Sequence, residues 1–357
     1  MKTNFLSTAI GSMPFDNADY AVSVSLDSLD APIWPQLSVF GLLEQMEIQY
    51  SENIPCATID KEKGRMYFQT DGDYSEAFGE FYEKYMIAAD PDSGDGNFDF
   101  MAISENYSKG IYALLDKLQK DNKVNKKLPL LKVQTTGPCS FALTIVDENK
   151  RAIYYNEEFR DVIVKALAMK CRWQIQKFKP FCENIICFID EPILSAFGSS
   201  TYVSVSREEV VAILSEVIEA VHAEGGIAGI HCCGNTEWSI LIDAGVDIVN
   251  FDAFEYGDTI AMYADSVKKH LENGKMLAWG IVPTSAAIRE QTVESLEERF
   301  ERRIDNLASK VIDKNLIISQ AIITPSCGTG SLEVEDAEKV FKLTKELTKR
   351  MKEKYGV

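Results

Sequence analysis

One short segment, His231-Cys232-Cys233, sets an imidazole and a thiol two residues apart. In an extended strand, residues i and i+2 share a face. His231 and Cys233 therefore project together while Cys232 turns to the other side. An imidazole and a thiolate on one face form half of a zinc site. Two further donors stand where apolar runs end: Asp252 closes NFD (250–252), and Cys327 sits in PSCGTG, a Pro- and Gly-rich exit. The same His-x-Cys could instead be a buried cysteine pair beside a core histidine. The rim position of Cys327 weighs against that. Ser12, Asp190 and Glu191 also lie where an apolar run passes into a loop.

The remaining candidates have plainer readings. Cys56, Cys139, Cys171, Cys182 and Cys187 lack a His or Cys partner at ligand spacing and read as core or surface thiols. His222 and His270, the other two histidines, fall in helical patterns as surface or packing residues. GTGS (328–331) before a helix could hold an anion on backbone N–H groups, although a plain turn accounts for it equally.

Eight short apolar runs must position these residues: 8–13, 31–37, 130–138, 185–192, 226–234, 247–254, 276–284 and 320–328. Between the later ones lie amphipathic segments at 207–225, 237–245, 260–274 and 293–312, the first and third ending in Gly after a charged turn. Strands alternating with helices mean a parallel sheet buried on both faces. Eight such units predict a single α/β domain, a (β/α)₈ TIM barrel, with an open doubly wound sheet as the other arrangement of the same elements. The longest gap, between the second and third strands, predicts an insertion at 48–100. It would form a hairpin (IPCATID, GRMYFQT), a helix near SEAFGEFYEKYMIAA and a turn-rich DPDSGDGNFD, acting as a lid over the barrel mouth.

Composition bounds the partners. The 357 residues carry 55 acidic and 37 basic side chains and a net charge of −18. That balance argues against nucleic acid or an anionic membrane, which reward basic surfaces. No apolar run approaches the ~18 residues of a membrane span. MKTNFLSTAIGSMPF, broken by Gly, Ser and Pro, does not read as a signal peptide. A cytoplasmic protein is expected.

Together these stretches resemble the superfamily that joins cobalamin-independent methionine synthase, uroporphyrinogen decarboxylase and the methylcobamide:thiol methyltransferases. AIGSMP (9–14), TTGPCSF (135–141), FIDEP (188–192), HCC (231–233) with NFD (250–252), and TPSCGTGSL (324–332) are similar, in order, to motifs of the synthase barrel. WPQL (34–37) and the following EQMEIQYSENIP resemble a small single-barrel branch. The resemblance implies Zn²⁺ bound by His231, Cys233, Cys327 and an acidic residue, here Asp252. It implies Ser12, Gln36 and Asp190 as substrate-binding residues, Asp190 also being catalytic. It implies methyl transfer to a small thiol such as homocysteine or coenzyme M. The chain departs from the synthase in having Asp252 where that family has Glu, and in lacking an acidic counterpart for the substrate amino group within 60–80. The synthase's additional N-terminal barrel, which helps bind folate, has no equivalent in this length. A methyl-corrinoid, carried on a small partner protein, is therefore expected as donor, with methyl-folate the other candidate. Two alternatives belong to other classes. One is a metal-free decarboxylase like the uroporphyrinogen enzyme, against which the scarcity of Arg and Lys at the rim speaks. The other is a non-catalytic corrinoid- or zinc-binding barrel.

Overall fold

The computed structural model describes residues 2–90, 96–121 and 127–357. Nine strands are assigned within them: β1 Leu6–Ser7, β2 Ala57–Asp60, β3 Arg65–Phe68, β4 Leu128–Thr136, β5 Cys182–Asp190, β6 Ile227–Cys232, β7 Ile248–Phe251, β8 Met276–Val282 and β9 Ala321–Pro325. Seven of them form one parallel sheet in the order β1-β9-β8-β7-β6-β5-β4. From β4 onward each neighbour in space is the next in sequence, reached through helical crossovers such as Glu157–Phe178, Arg207–Ala223 and Val293–Ala308, as parallel pairing requires.

The sheet curls until its two edges meet a common segment. Residues 31–36 bridge β1's continuation through Ser12 and Gln36, and β4 through Ile33 and Lys132. The Ala31 and Gln36 N–H groups donate to the Ser7 and Gly11 carbonyls, and Lys132 N–H donates to Pro32 O. The arrangement is TIM-barrel-like, with two differences from the expected eight strands. The strand expected at 8–13 lies just upstream, as β1 at Leu6–Ser7, with Ser12 making an isolated bridge, and the run at 31–37 forms isolated bridges in place of a strand. Pro32 and Pro35 have no N–H to give, so a regular ladder cannot run through this segment.

Alternation along each strand makes two cores. Outward residues such as Ile189, Ile230, Phe251 and Trp279 pack under the surrounding helices. Inward residues Ile10, Leu130, Ile186, Phe188, Ile248, Met276, Ala278 and Ile322 fill the space the sheet encloses. A face buried on both sides is what the near-continuous apolar strands encode.

Within 48–100, β2 and β3 pair antiparallel as a hairpin, and a helix spans Ser75–Ala89. Phe68 fixes the hairpin by edge-on contacts with Phe141 and Phe159, at ring distances of 6.2 and 5.7 Å. Lys170, fully buried, donates its ammonium protons to the Glu52 and Met101 carbonyls at 2.7 and 3.3 Å. It staples both ends of the insertion to one helix. Most of the turn-rich DPDSGDGNFD, residues 91–95, lies outside the described residues. All eight cysteines are free thiols. No described helix is long and apolar enough to cross a membrane.

Candidate metal centre

The candidate residues gather where the strands end. β6 is in register with its neighbours such that His231 lies beside Asp190 of β5 and Asn250 of β7. Cys233 follows one residue past β6 and shares the inward face of His231, as alternation predicts. Cys232 is fully buried on the helix side. Cys327 stands two residues beyond β9. The donor atoms of His231, Cys233 and Cys327 all lie within 4.8 Å of one another.

The β9 exit is tied to the first strand's continuation. Thr329 donates both its N–H and its hydroxyl to Ser12 O, at 2.8 and 2.9 Å, and Gly330 N–H donates to Ser12 Oγ at 3.3 Å. A side chain at Gly328 would place its Cβ 2.0 Å from Ser12 Oγ. Only glycine lets Cys327 and Ser12 approach in this way.

Beside the cluster is a cavity of about 150 Å³, lined by Ser12, Gln36, Tyr50, Gln134, Asp190, His231, Cys233 and Cys327, with Ile10, Met46 and Pro192 as its apolar wall. Gln36 is oriented by donating from Nε2 to Glu44 O at 2.9 Å. Asp190 Oδ1 is buried with no hydrogen-bond partner. Burial pushes its carboxyl pKa up, against the opposing field of Lys132 and His231. The adjacent Glu191 faces away from the cavity and accepts from Cys139 N–H, Ser140 N–H and Ser140 Oγ at 2.9, 2.7 and 2.6 Å. Burial raises its pKa to about 7. Neighbouring carboxylates thus divide: Glu191 braces the loop, and Asp190 keeps an unpartnered oxygen at the cavity wall.

The two thiols shift each other's acidity in opposite directions. Cys327, as a hydrogen-bond donor, and the imidazole of His231 beside it hold the Cys233 pKa far below that of an ordinary thiol. The resulting thiolate drives the Cys327 pKa up. Burial disfavours a charged His231, but Cys233, Asp190 and Asn250 outweigh it and raise its pKa. His231 Nε2 is buried without a hydrogen-bond partner. An orphaned imidazole nitrogen beside two sulfurs is a donor set suited to zinc, and two Cys with one His is a catalytic set that leaves a position open. Asp252 stands apart from the three. Its carboxylate accepts Glu255 N–H at 2.8 Å, capping its own turn, and burial raises its pKa to about 6.

Four residues were not among the sequence candidates: Tyr50 and Gln134, which line the cavity, and Lys132 and Asn250, which contact residues that line it. Tyr50 donates its hydroxyl to Gln134 O at 2.9 Å. Lys132, fully buried beneath the cavity floor, donates to Ile10 O and to Gln134 Oε1 and lies 4.7 Å from the Phe188 ring centre. Burial lowers its pKa to about 8, with Asp190 opposing. A lone Lys in the apolar run LLKVQTT was the available signal.

No protein-family model and no curated protein matches the chain. Among solved structures, its fold is similar to that of a methyltransferase from Methanosarcina mazei, with a TM-score of 0.55 and 13% identity over 97% of this chain and 94% of that one. A B12-independent methionine synthase from Shewanella sp. W3-18-1 aligns over 68% of this chain and 67% of its own, with a TM-score of 0.46 and 13% identity.

Proposed function

We propose that the chain is a zinc-dependent methyltransferase that places a methyl group on the sulfur of a small thiol. The observation that carries this is the meeting of His231, Cys233 and Cys327 within 4.8 Å beside a cavity. The fold shared with the Methanosarcina mazei methyltransferase supports the reaction class. His231, Cys233 and Cys327 would hold the metal, with Asp252 an exchangeable fourth ligand because Glu255 N–H already engages it. Bound zinc supplies Lewis acidity that strips the proton from a thiol and keeps its sulfur nucleophilic near neutral pH.

The chain's own residues do the rest. Cys233 and Cys327 bring negative charge that keeps an acceptor sulfur electron-rich. Asp190, with a free carboxylate oxygen in the cavity wall, accepts a hydrogen bond from the acceptor's polar tail, and Ser12 and Gln36 orient the opposite side. A cavity of about 150 Å³ has room for a molecule about the size of benzene. The acceptor is therefore small, and the donor must present its methyl group from the mouth. A methyl-corrinoid on a carrier protein, or methyl-folate, fits that geometry. As the new carbon–sulfur bond forms, the methyl's bond to the donor breaks and the thiol proton leaves to solvent. The insertion at 48–100, contributing Tyr50 to the cavity, acts as the lid that excludes water.

The test is methyl transfer from methylcobalamin, and separately from methyl-folate, to homocysteine, coenzyme M, cysteine and simple alkyl thiols. Product with at least one pair is expected from zinc-loaded protein. No product with any pair overturns the assignment.

A further inference from the structure

His231 reaches toward the two thiols through Nε2, and its other ring nitrogen has a partner that no motif marks. Nδ1 lies 2.5 Å from Asn250 Oδ1. Asn250 is fully buried, and its amide nitrogen donates to Ala278 O and to Thr324 Oγ1, both at 2.9 Å. A backbone carbonyl can only accept, so the amide fits one way round: turning it over would set oxygen against oxygen. Oδ1 therefore faces the imidazole and carries no hydrogen, and Nδ1 must be the donor. In the neutral ring that leaves the lone pair on Nε2, the buried atom without a hydrogen-bond partner. The chain of contacts crosses four neighbouring strands, His231 on β6, Asn250 on β7, Ala278 on β8 and Thr324 on β9.

We propose that Asn250 is the positioning residue that fixes the Nδ1–H tautomer and the ring plane of His231 for metal binding. The metal half of this rests on the zinc reading above. Asn250 touches no reacting atom; it acts through His231. A partner on the second ring nitrogen of a metal-binding histidine is worth roughly 10–100-fold in metal affinity. Within the four-strand network, only Asn250 both faces the imidazole and is locked from behind.

The experiment has two readouts on the full chain. The first is the side-chain ¹⁵N spectrum of metal-free protein, which separates Nδ1–H from Nε2–H imidazole and is tractable with three histidines. Wild type should show His231 protonated at Nδ1, and Asn250→Leu should show a mixture of tautomers. The second is zinc affinity by chelator competition. Asn250→Leu should bind about 10–100-fold more weakly. Thr324→Val, which removes one support of the amide but not the His231 contact, should stay within about threefold and controls for general loosening. A neutral His231 ring protonated at Nε2 and not at Nδ1 in wild type, or unchanged zinc affinity in a folded Asn250→Leu, overturns the proposal. If wild type binds no zinc, the functional reading falls, and the tautomer signal alone still decides whether Asn250 sets His231.

Discussion

The same strands meet two different interiors. At their N-terminal ends Leu130, Ile186, Ile248, Met276 and Ile322 close the space the sheet encloses with nothing but hydrocarbon and one thioether. Four residues further along β5, the inward position is Asp190, and the C-terminal ends of β4 and β6 likewise present Gln134 and His231. The histidines repeat the contrast. His270, at the N-terminal end of β8, is buried with only the Met276 carbonyl as partner at 3.2 Å, and burial drops its pKa to about 4. His231 is equally buried, yet Cys233 and Asp190 raise its pKa. Burial alone neutralises a histidine; burial among anionic partners prepares one for a cation. One end of the sheet maintains the fold, and the other holds polar atoms at a cost in stability.

Cutting each end separately sharpens this division. Cys233→Ser should lose zinc by more than the roughly 10–100-fold expected of a supporting residue, while metal-free stability changes little. Cys232→Ser, on the opposite strand face, should keep its zinc; equal retention by both variants would break the strand-face assignment. Metal content after dialysis against a weak chelator reads this. Ile248→Ala, in the hydrocarbon layer, should do the reverse and destabilise by about 2–5 kcal/mol in denaturant titration, with zinc per folded chain unchanged.

His270 gives the pH signature of the fold-keeping end. Its folded pKa of about 4 lies below the ordinary 6.5, so the unfolded chain binds the proton more readily. Its stabilising contribution is complete above 6.5 and is lost as pH falls towards 4. Between pH 7 and 5 the loss should be about 2 kcal/mol, and His270→Gln should flatten that part of the profile. Smallest is Asp190→Asn at the other end, which should raise KM for an amino-bearing thiol by about tenfold, with zinc content intact, because it removes a charge partner and not a ligand.

The two ends were unequally legible in the sequence. β5, β6 and β8 stood out because a strand buried on both faces must be apolar almost throughout. The strand expected at 31–37 hid its irregularity in plain sight: Pro32 and Pro35 forbid a ladder, yet Ile33 and Gln36 still make isolated bridges. Period-two alternation sufficed to pair His231 with Cys233, and a Pro-Gly exit sufficed for Cys327. Lys132, Gln134 and Asn250 carry no motif spacing of their own: the first two lie on one strand, LLKVQTT, and the third ends the short run IVN. Their roles depend on partners across the sheet, such as Ile10 for Lys132 and Thr324 for Asn250, and sheet register is set by packing and not by local spacing. Asp252 was placed at its strand end but not on its turn, since capture of its carboxylate by Glu255 N–H is a loop property.

The most direct test of the zinc assignment is metal analysis of the purified wild-type chain combined with zinc-edge X-ray absorption. About one zinc per chain is expected, with two sulfurs near 2.3 Å from Cys233 and Cys327, and nitrogen or oxygen scatterers at about 2.0–2.2 Å, His231 among them. Protein that takes up no zinc, or zinc with no sulfur in its coordination shell, would contradict it.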